Sequence, residues 1–282
     1  MFARFLLAVF ILTFLPSAVL AQELYVYTEP ASNLPARSLS LKLKSQWVGE
    51  DQIFGRFSYR YTPQVMAGIS KKFMIRAAAT VGNMQTQRAK FESMQLYAKY
   101  RILSNDDIHS HFRLAAFGQL ARSTVPFHYD EIDLGGDKSG MEAGLIATQL
   151  WHKFALSGTL SHIQVLHASR KNREVYIPER SFSALQFSLS GGYLLFPRVY
   201  SSYKQTNLNL YLELLTQRLL DKPGYYVDVA PALQLIFSSA TKLNLGYRYQ
   251  LGTSMHRMTN NSWLLSVETT VLNAFKKRPN QF

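Results

Sequence analysis

The chain has 282 residues, 47% of them hydrophobic, yet beyond its first 21 residues no segment is apolar and long enough to span a membrane as a helix. It contains no cysteine, which excludes a fold held by disulfides and a thiolate metal site. A net charge of +13 would suit a nucleic-acid partner, but the N-terminus argues against that partner.

The first 21 residues have the layout of a secretory signal peptide. Arg4 is followed by an apolar run over residues 5–20, the run ends at Ala21, and polar Gln22 follows. A membrane-anchor helix is the alternative, but Pro16 interrupts the run, which is also short for a span. We expect cleavage after Ala21 and an exported chain that does not meet nucleic acid. Its basic charge is then assigned to a lumen lining and to contacts with anionic lipid headgroups.

Residues 22–37 do not alternate between apolar and polar side chains, and they contain Pro30 and Pro35. This composition predicts an N-terminal arm on the periplasmic side or a plug in the mouth of a barrel. The alternating part of the chain follows it, over residues 38–275, and is expected to form one domain.

Strict alternation is clearest over residues 207–214, where every second residue is Leu and the residues between are Asn, Tyr and Glu. Successive side chains of a strand point to opposite faces, so one face here is hydrocarbon and the other is polar. In an exported chain without membrane helices, a closed antiparallel transmembrane β-barrel can turn the apolar face to lipid, because closure pairs every backbone group. We predict twelve strands, at 38–48, 56–69, 73–83, 91–103, 111–122, 140–151, 154–165, 182–196, 206–217, 225–237, 241–251 and 262–275.

The connections favour a barrel with both termini in the periplasm, since short turns lie at one end and longer loops at the other. Two features weaken the pattern. Residues 197–205 are long for an inner turn, and Pro63 removes a donor from the second strand. The last strand is expected to close on Phe275, as in the insertion signal of outer-membrane barrels, before a basic tail over residues 276–282.

Several runs resemble a known family of barrels. The runs at residues 60–63, 68–70, 97–101 and 111–118 are similar to the transporter-like outer-membrane barrels grouped with the phenol meta-pathway family. The start of the mature chain, at residues 27–33, is also similar to uncharacterised outer-membrane proteins of the Bacteroidetes type. This resemblance implies a barrel fold, transport for some relatives, and no catalytic residues.

The polar face of the strands predicts the lining of the lumen. An Arg or Lys facing lipid at mid-depth would cost about 2–4 kcal/mol, so the charged residues are assigned to the interior. The basic candidates are Lys42, Lys44, Arg60, Arg76, Lys99, Arg101, Arg113 and Arg248, and the acidic ones are Glu142, Glu213, Asp228 and Glu268. They favour either a pore that prefers anions or ion-pair networks that fill a closed barrel. Arg113 and Glu142 are expected to pair across neighbouring strands.

No catalytic, cofactor or metal site is predicted. Ser161 and His162 are adjacent in a strand, so their side chains point to opposite faces and cannot act together. The acidic, glycine-containing run at residues 130–137 does not have the spacing of a calcium loop, and the Met255, His256 and Met258 group has no cysteine beside it. We therefore do not expect an enzyme.

These patterns together predict a narrow porin-like or transporter-like channel with a net basic lumen in the bacterial outer membrane. Its expected partners are outer-membrane lipid, the barrel-insertion machinery and small solutes. The alternative is a closed structural barrel that does not conduct and whose outer loops bind a partner.

Overall fold

The computed structural model describes residues 25–50, 55–84, 88–107, 110–125, 129–166, 181–197 and 205–275. The predicted signal peptide and the basic tail lie outside these ranges. The described chain is all-β, and no helix in it is long and apolar enough to cross a membrane. Its strands are β1 (Ser38–Glu50), β2 (Phe57–Gly68), β3 (Phe73–Gly82), β4 (Lys90–Asp106), β5 (Ser110–Ser123), β6 (Gly140–Trp151), β7 (Phe154–Val165), β8 (Ser183–Phe196), β9 (Asn207–Leu219), β10 (Tyr225–Phe237), β11 (Thr241–Thr253) and β12 (Asn261–Val271).

The twelve strands form one closed barrel in which each strand is hydrogen-bonded to its neighbours in sequence. All pairs are antiparallel, and β12 returns to pair with β1 from Leu39↔Val271 to Trp47↔Trp263. Closure leaves no strand edge, so the backbone groups of the wall bond to one another rather than to lipid. The prediction of a twelve-stranded antiparallel barrel is confirmed.

Strand β9 shows how the sequence divides between the two faces of the wall. Glu213 is 0% exposed and points inward, whereas Leu210 and Leu212 are 45% and 58% exposed on the outside. The other strands follow the same rule, with exposed Leu, Phe, Tyr and Val outside and Ser, Thr, Gln and charged residues inside. The outer face is therefore apolar and suited to lipid, and the interior is polar.

Replacing Leu210 with Arg is expected to destabilise the inserted barrel by about 2–4 kcal/mol, because the charge would face hydrocarbon. The control is Leu210→Met, which keeps an apolar side chain of similar volume and should change stability little. Urea unfolding in lipid vesicles measures both variants. Equal unfolding midpoints for the two variants would mean that this side of β9 does not face lipid.

The two rims of the barrel differ in their connections. At the N-terminal rim, where β1 begins and β12 ends, the turn between β6 and β7 has only residues 152–153 and the turn between β10 and β11 only residues 238–240. His152, Ser238 and Ser239 adopt left-handed φ values of 51°, 48° and 56°, as tight reversals require. At the opposite loop rim, residues 124–139 join β5 to β6 and residues 166–182 join β7 to β8.

The end of the last strand differs from the expected one, and the structure shows how β2 accommodates Pro63. Strand β12 ends at Val271 rather than at Phe275, because a turn follows in which Asn273 has a left-handed φ of 55°, and Phe275 is 55% exposed. Pro63 does lie within β2, paired with Leu43 of β1, and its ring points outward. Pairing of β2 with β3 skips residues 62 and 63, so the missing donor costs the wall only a local gap.

Candidate solute chamber inside the barrel

Residues 25–37, here called the arm, lie inside the barrel near the N-terminal rim. The backbone N–H groups of Val26, Tyr27 and Thr28 donate to the Glu213 carboxylate at 2.8, 2.9 and 2.8 Å. Glu213 is completely buried on β9, and these three donors replace the water that its charge would otherwise bind. The Thr28 and Ser190 hydroxyls also hydrogen-bond at 2.8 Å. This side of the arm is therefore fixed to β8 and β9.

The other side of the arm is fixed to the opposite wall. Glu29 forms ion pairs with Arg76 of β3 and with Lys99 of β4, the latter at 3.3 Å. Lys99 also donates to the Pro30 carbonyl at 2.8 Å, and Arg113 of β5 donates to the Ser32 hydroxyl at 2.8 Å. The arm thus crosses the lumen and forms a floor between the chamber above it and the N-terminal rim.

Residues 129–139, here called the roof, belong to the connection between β5 and β6 and fold into the barrel from the loop rim. Ile132 exchanges two hydrogen bonds with the Gln217 side chain of β9, at 2.9 and 3.0 Å. The Ile132 and Leu134 side chains pack against apolar residues of β7 and β9. On the far wall, Ser93 of β4 donates to the Gly135 carbonyl at 2.8 Å. The roof is therefore attached to opposite walls.

Asp133 joins the roof to β2. Arg60 donates to Asp133 at 2.7 Å and to Glu92 of β4 at 2.7 Å. The position of Asp133 inside the barrel alone would raise the pKa of its carboxyl, but Arg60 and the Gly135 N–H hold that pKa below its ordinary value. The carboxylate therefore stays charged and continues to bind Arg60 under mildly acidic conditions.

A second ion-pair group joins the roof to the connection between β11 and β12. Asp228 of β10 is 0% exposed and accepts from Arg248 at 2.5 Å and twice from Arg257 at 2.7 Å. Arg257 also donates to Glu131 of the roof at 3.1 Å, and its guanidinium lies 4.0 Å from the centroid of the Tyr226 ring. One buried carboxylate thus positions two arginines and, through them, the roof.

Between floor and roof lies a cavity of about 300 Å³, here called the chamber. Its lining balances in formal charge, with six basic and six acidic side chains, and adds six glutamines. The basic residues are Lys42, Lys44, Arg60, Arg76, Arg248 and Arg257, the acidic ones are Glu29, Glu131, Asp133, Asp137, Glu142 and Asp228, and the glutamines are Gln46, Gln64, Gln95, Gln119, Gln186 and Gln217. Such a lining suits a polar solute better than an apolar one.

The twelve residues expected in the lumen lie at different depths and have different contacts. Seven line the chamber, namely Lys42, Lys44, Arg60, Arg76, Glu142, Asp228 and Arg248. Three hold the arm, namely Lys99, Arg113 and Glu213. Glu268 accepts from Ser40 and pairs with Lys42 and Lys242. Arg101 is half-buried near the N-terminal rim, outside the chamber.

The expected pair between Arg113 and Glu142 is wrong. The register of β5 on β6 sets Arg113 opposite Thr148 and Glu142 opposite Gln119, so the two charged residues lie at different depths. Arg113 instead donates to Asp106 at 2.9 Å, and Glu142 accepts from Ser161 of β7 at 2.6 Å.

Several residues inside the barrel could not be predicted from alternation. Strict alternation along β4 would turn Glu92 outward, but pairing of β3 with β4 shifts at Thr80/Val81 and leaves Glu92 as an extra residue. This bulge turns both Glu92 and Ser93 inward, where they are 1% and 0% exposed. Glu131, Asp133 and Arg257 come from connections, where the sequence has no period that indicates direction.

The residues considered as catalytic or metal-binding candidates do not come together in one site in the described ranges. Ser161 is buried inside, whereas His162 points outward and bonds to Ser183 at 2.9 Å. In the roof, Asp130, Asp133 and Asp137 pair with Lys222, Arg60 and Lys138, respectively. The described ranges contain no group of three His, Cys, Asp or Glu residues that could hold a metal ion.

Comparison with known proteins identifies the fold of the chain but not its family. No protein-family model and no curated protein matches the chain. The barrel is similar to the crystal structure of the COG4313 outer membrane channel from Pseudomonas putida F1, with a TM-score of 0.60 and 12% identity over 88% of this chain and 100% of that chain. KdgM porin has a TM-score of 0.47 and 8% identity, and NanC porin 0.47 and 12%, each over 82% of this chain and 98% of its own. With its apolar outer face, the fold is that of a bacterial outer-membrane β-barrel.

Proposed function

We propose that this protein is a porin-like channel that carries small polar solutes across the outer membrane. The observation that carries the proposal is the chamber, a polar cavity of about 300 Å³ enclosed by a barrel with an apolar outer face. The likeness in fold to a solved outer membrane channel over that channel's full length supports it. We also propose kinship with the transporter-like barrels of the phenol meta-pathway family, which the sequence resembles, and insertion by the barrel-insertion machinery.

In this proposal the N-terminal rim faces the periplasm and the arm separates the chamber from it. The arm is held by hydrogen bonds and ion pairs to both walls, with no covalent link, since the chain has no cysteine. Solute passage then requires the arm to leave its place across the lumen.

The net basic lumen predicted from the strands is proposed here only for the part of the lumen near the N-terminal rim. The chamber itself balances six basic against six acidic residues. Towards the N-terminal rim the inward residues include Lys99, Arg101 and Arg113, opposed by Asp106 at the end of β4. We therefore propose a modest preference for anions that arises at the periplasmic mouth, where low-dielectric walls focus the field of these charges.

The wild-type protein is expected to give discrete conductance steps in planar lipid bilayers. Changing Arg101 and Arg113 together to Gln should shift the reversal potential across a salt gradient away from anion preference, because both charges at the mouth are lost. The control is Lys71→Gln, which removes one exposed charge from the turn between β2 and β3 at the same rim, where salt screens it. A reversal potential that moves equally in both variants would show that Arg101 and Arg113 do not line the conducting path.

A closed structural barrel is the second candidate, and a specific observation favours it. Floor and roof each connect opposite walls through buried polar contacts. In that case the wild-type protein gives no conductance steps, and partner binding by the outer connections is its remaining role.

A further inference from the structure

The Glu29 carboxylate of the arm occupies a cationic site on the wall of the barrel. Arg76 of β3 and Lys99 of β4 both form ion pairs with it, the latter at 3.3 Å. Lys99 is 1% exposed, so its charge depends on partners inside the barrel rather than on water. Glu29 and Arg76 also line the chamber. A solute in the chamber can therefore contact this ion pair.

The cationic site belongs to the wall and does not need the arm for its shape. In the register of β3 on β4, Arg76 lies opposite Tyr97, and Lys99 is two residues further along β4 on the same face. The Arg76 guanidinium lies 4.3 Å from the centroid of the Tyr97 ring, and that ring stacks on Phe117 of β5 at 5.5 Å. A cation is attracted to the face of an aromatic ring, so Tyr97 holds the guanidinium in place. The site therefore persists when the arm leaves.

The side chains beside this site on the chamber side are carboxamides. Gln95 lies two residues from Tyr97 on the same face of β4, and Gln119 of β5 is directly opposite Tyr97 in register. Both glutamines line the chamber. A carboxamide both donates and accepts hydrogen bonds, so these two side chains can bind the polar remainder of a solute whose carboxylate lies at Arg76.

Movement of the arm would take from Arg76 and Lys99 the carboxylate that they bind in the structure. Removing one partner of a buried ion pair is costly, because the remaining charge is no longer compensated. A solute carboxylate offsets this cost, since it replaces the carboxylate that has left, whereas a neutral solute does not. A ligand shifts an equilibrium toward the state that it binds more tightly, and this site is open to a solute only when Glu29 has left it. Acidic solutes therefore favour the displaced arm.

We infer that Arg76 and Lys99 bind the carboxylate of a small acidic solute in place of Glu29, and that this exchange releases the arm from β3 and β4. The inference rests on the proposed channel function and specifies both the class of solute and the step that opens the floor. Glu29 is then a competitor of the solute within the same molecule, and its effective concentration is on the order of millimolar because the chain tethers it to the site.

Calorimetric titration of the full-length protein in detergent tests the exchange with two probes of the same shape, N-acetylglycine and its uncharged amide, N-acetylglycinamide. Glu29→Gln should raise the affinity for N-acetylglycine by about tenfold or more, because it removes the competing carboxylate and leaves both cations to the probe. The amide should bind weakly to the wild-type protein and to the variant. Adding Arg76→Gln to Glu29→Gln should cancel the gain.

Glu131→Gln is the matched control, because Glu131 also lines the chamber and pairs with two arginines. Those arginines keep Asp228 as a partner, so this change removes the same charge without vacating a cationic site. The affinity for N-acetylglycine should rise several times less than in Glu29→Gln. An equal rise in the two variants would show that the net charge of the chamber attracts the anion. That result, or the absence of any gain in Glu29→Gln, would overturn the inference.

Uptake of the two radiolabelled probes into proteoliposomes separates this inference from the channel proposal. Faster uptake of N-acetylglycine than of its amide by the wild-type protein, together with the gain in binding, would support both. Equal uptake without a gain in binding would overturn the carboxylate site and leave the channel standing. A gain in binding with equal uptake would overturn the release of the arm by the solute. A gain in binding with no uptake of either probe would support the site and overturn the channel.

Discussion

Joining the arm to the wall through Thr28→Cys and Ser190→Cys is expected to abolish conductance under oxidising conditions and to restore it on reduction. The two hydroxyls lie 2.8 Å apart, so cysteine sulfurs in their place are within reach of a disulfide. No native cysteine competes, so one disulfide is possible. Planar-bilayer recordings before and after a reducing agent measure the effect.

The single variant Thr28→Cys is the control for this experiment, since it cannot form the bond and should conduct in both conditions. Loss of current in the oxidised double variant alone would show that the arm must move for solutes to pass. If that variant conducts like the single one, the path runs past the arm in its observed place, and the proposed displacement is wrong.

Asp228→Asn is expected to destabilise the barrel by about 3–5 kcal/mol. The change removes the fully buried carboxylate of this ion-pair group and leaves the charges of two arginines poorly compensated. Arg248 and Arg257 would then lie side by side, and Glu131 would be their one remaining acidic partner among the residues that the structure describes. The loss should appear as a lower urea midpoint in lipid vesicles and as weaker attachment of the roof.

Asp130→Asn gives a matched comparison for that change. Asp130 pairs with Lys222 at 2.5 Å, and both side chains remain partly exposed to solvent, at 23% and 18%. A pair that solvent reaches contributes about 0–1 kcal/mol, less than a fully buried one. The midpoint should therefore move several times less than in Asp228→Asn. Equal shifts in the two variants would contradict the role given to the buried cluster.

Sequence reasoning located the wall of this barrel well, because period-two alternation reports directly which residues face lipid. All twelve strands appear within a few residues of their predicted bounds, and the clearest alternation, in β9, gives the clearest division between Glu213 and Leu212. The exceptions have local causes. Asn273 ends β12 by adopting a left-handed conformation, and the bulge at Glu92 reverses the face of one acidic residue.

The contents of the barrel were predicted less completely, because a residue's face does not determine its depth or its partner. Arg113 does point inward, but strand register places it beside Asp106 rather than Glu142. The segments that enclose the chamber have no repeating pattern, so neither the three amides on Glu213 nor the contact of Asp133 with Arg60 could be read from sequence.

The contacts of the arm also constrain the order in which the chain assembles. The arm precedes every strand in sequence, but its bond to Glu213 closes a loop of 187 residues, and its contacts on the other side require β3 and β4. These partners meet around one lumen only after most of the wall has formed. Contacts of such long range form slowly because the chain must lose the entropy of the whole intervening loop. The segment that precedes every strand therefore reaches its final position only after the strands that hold it.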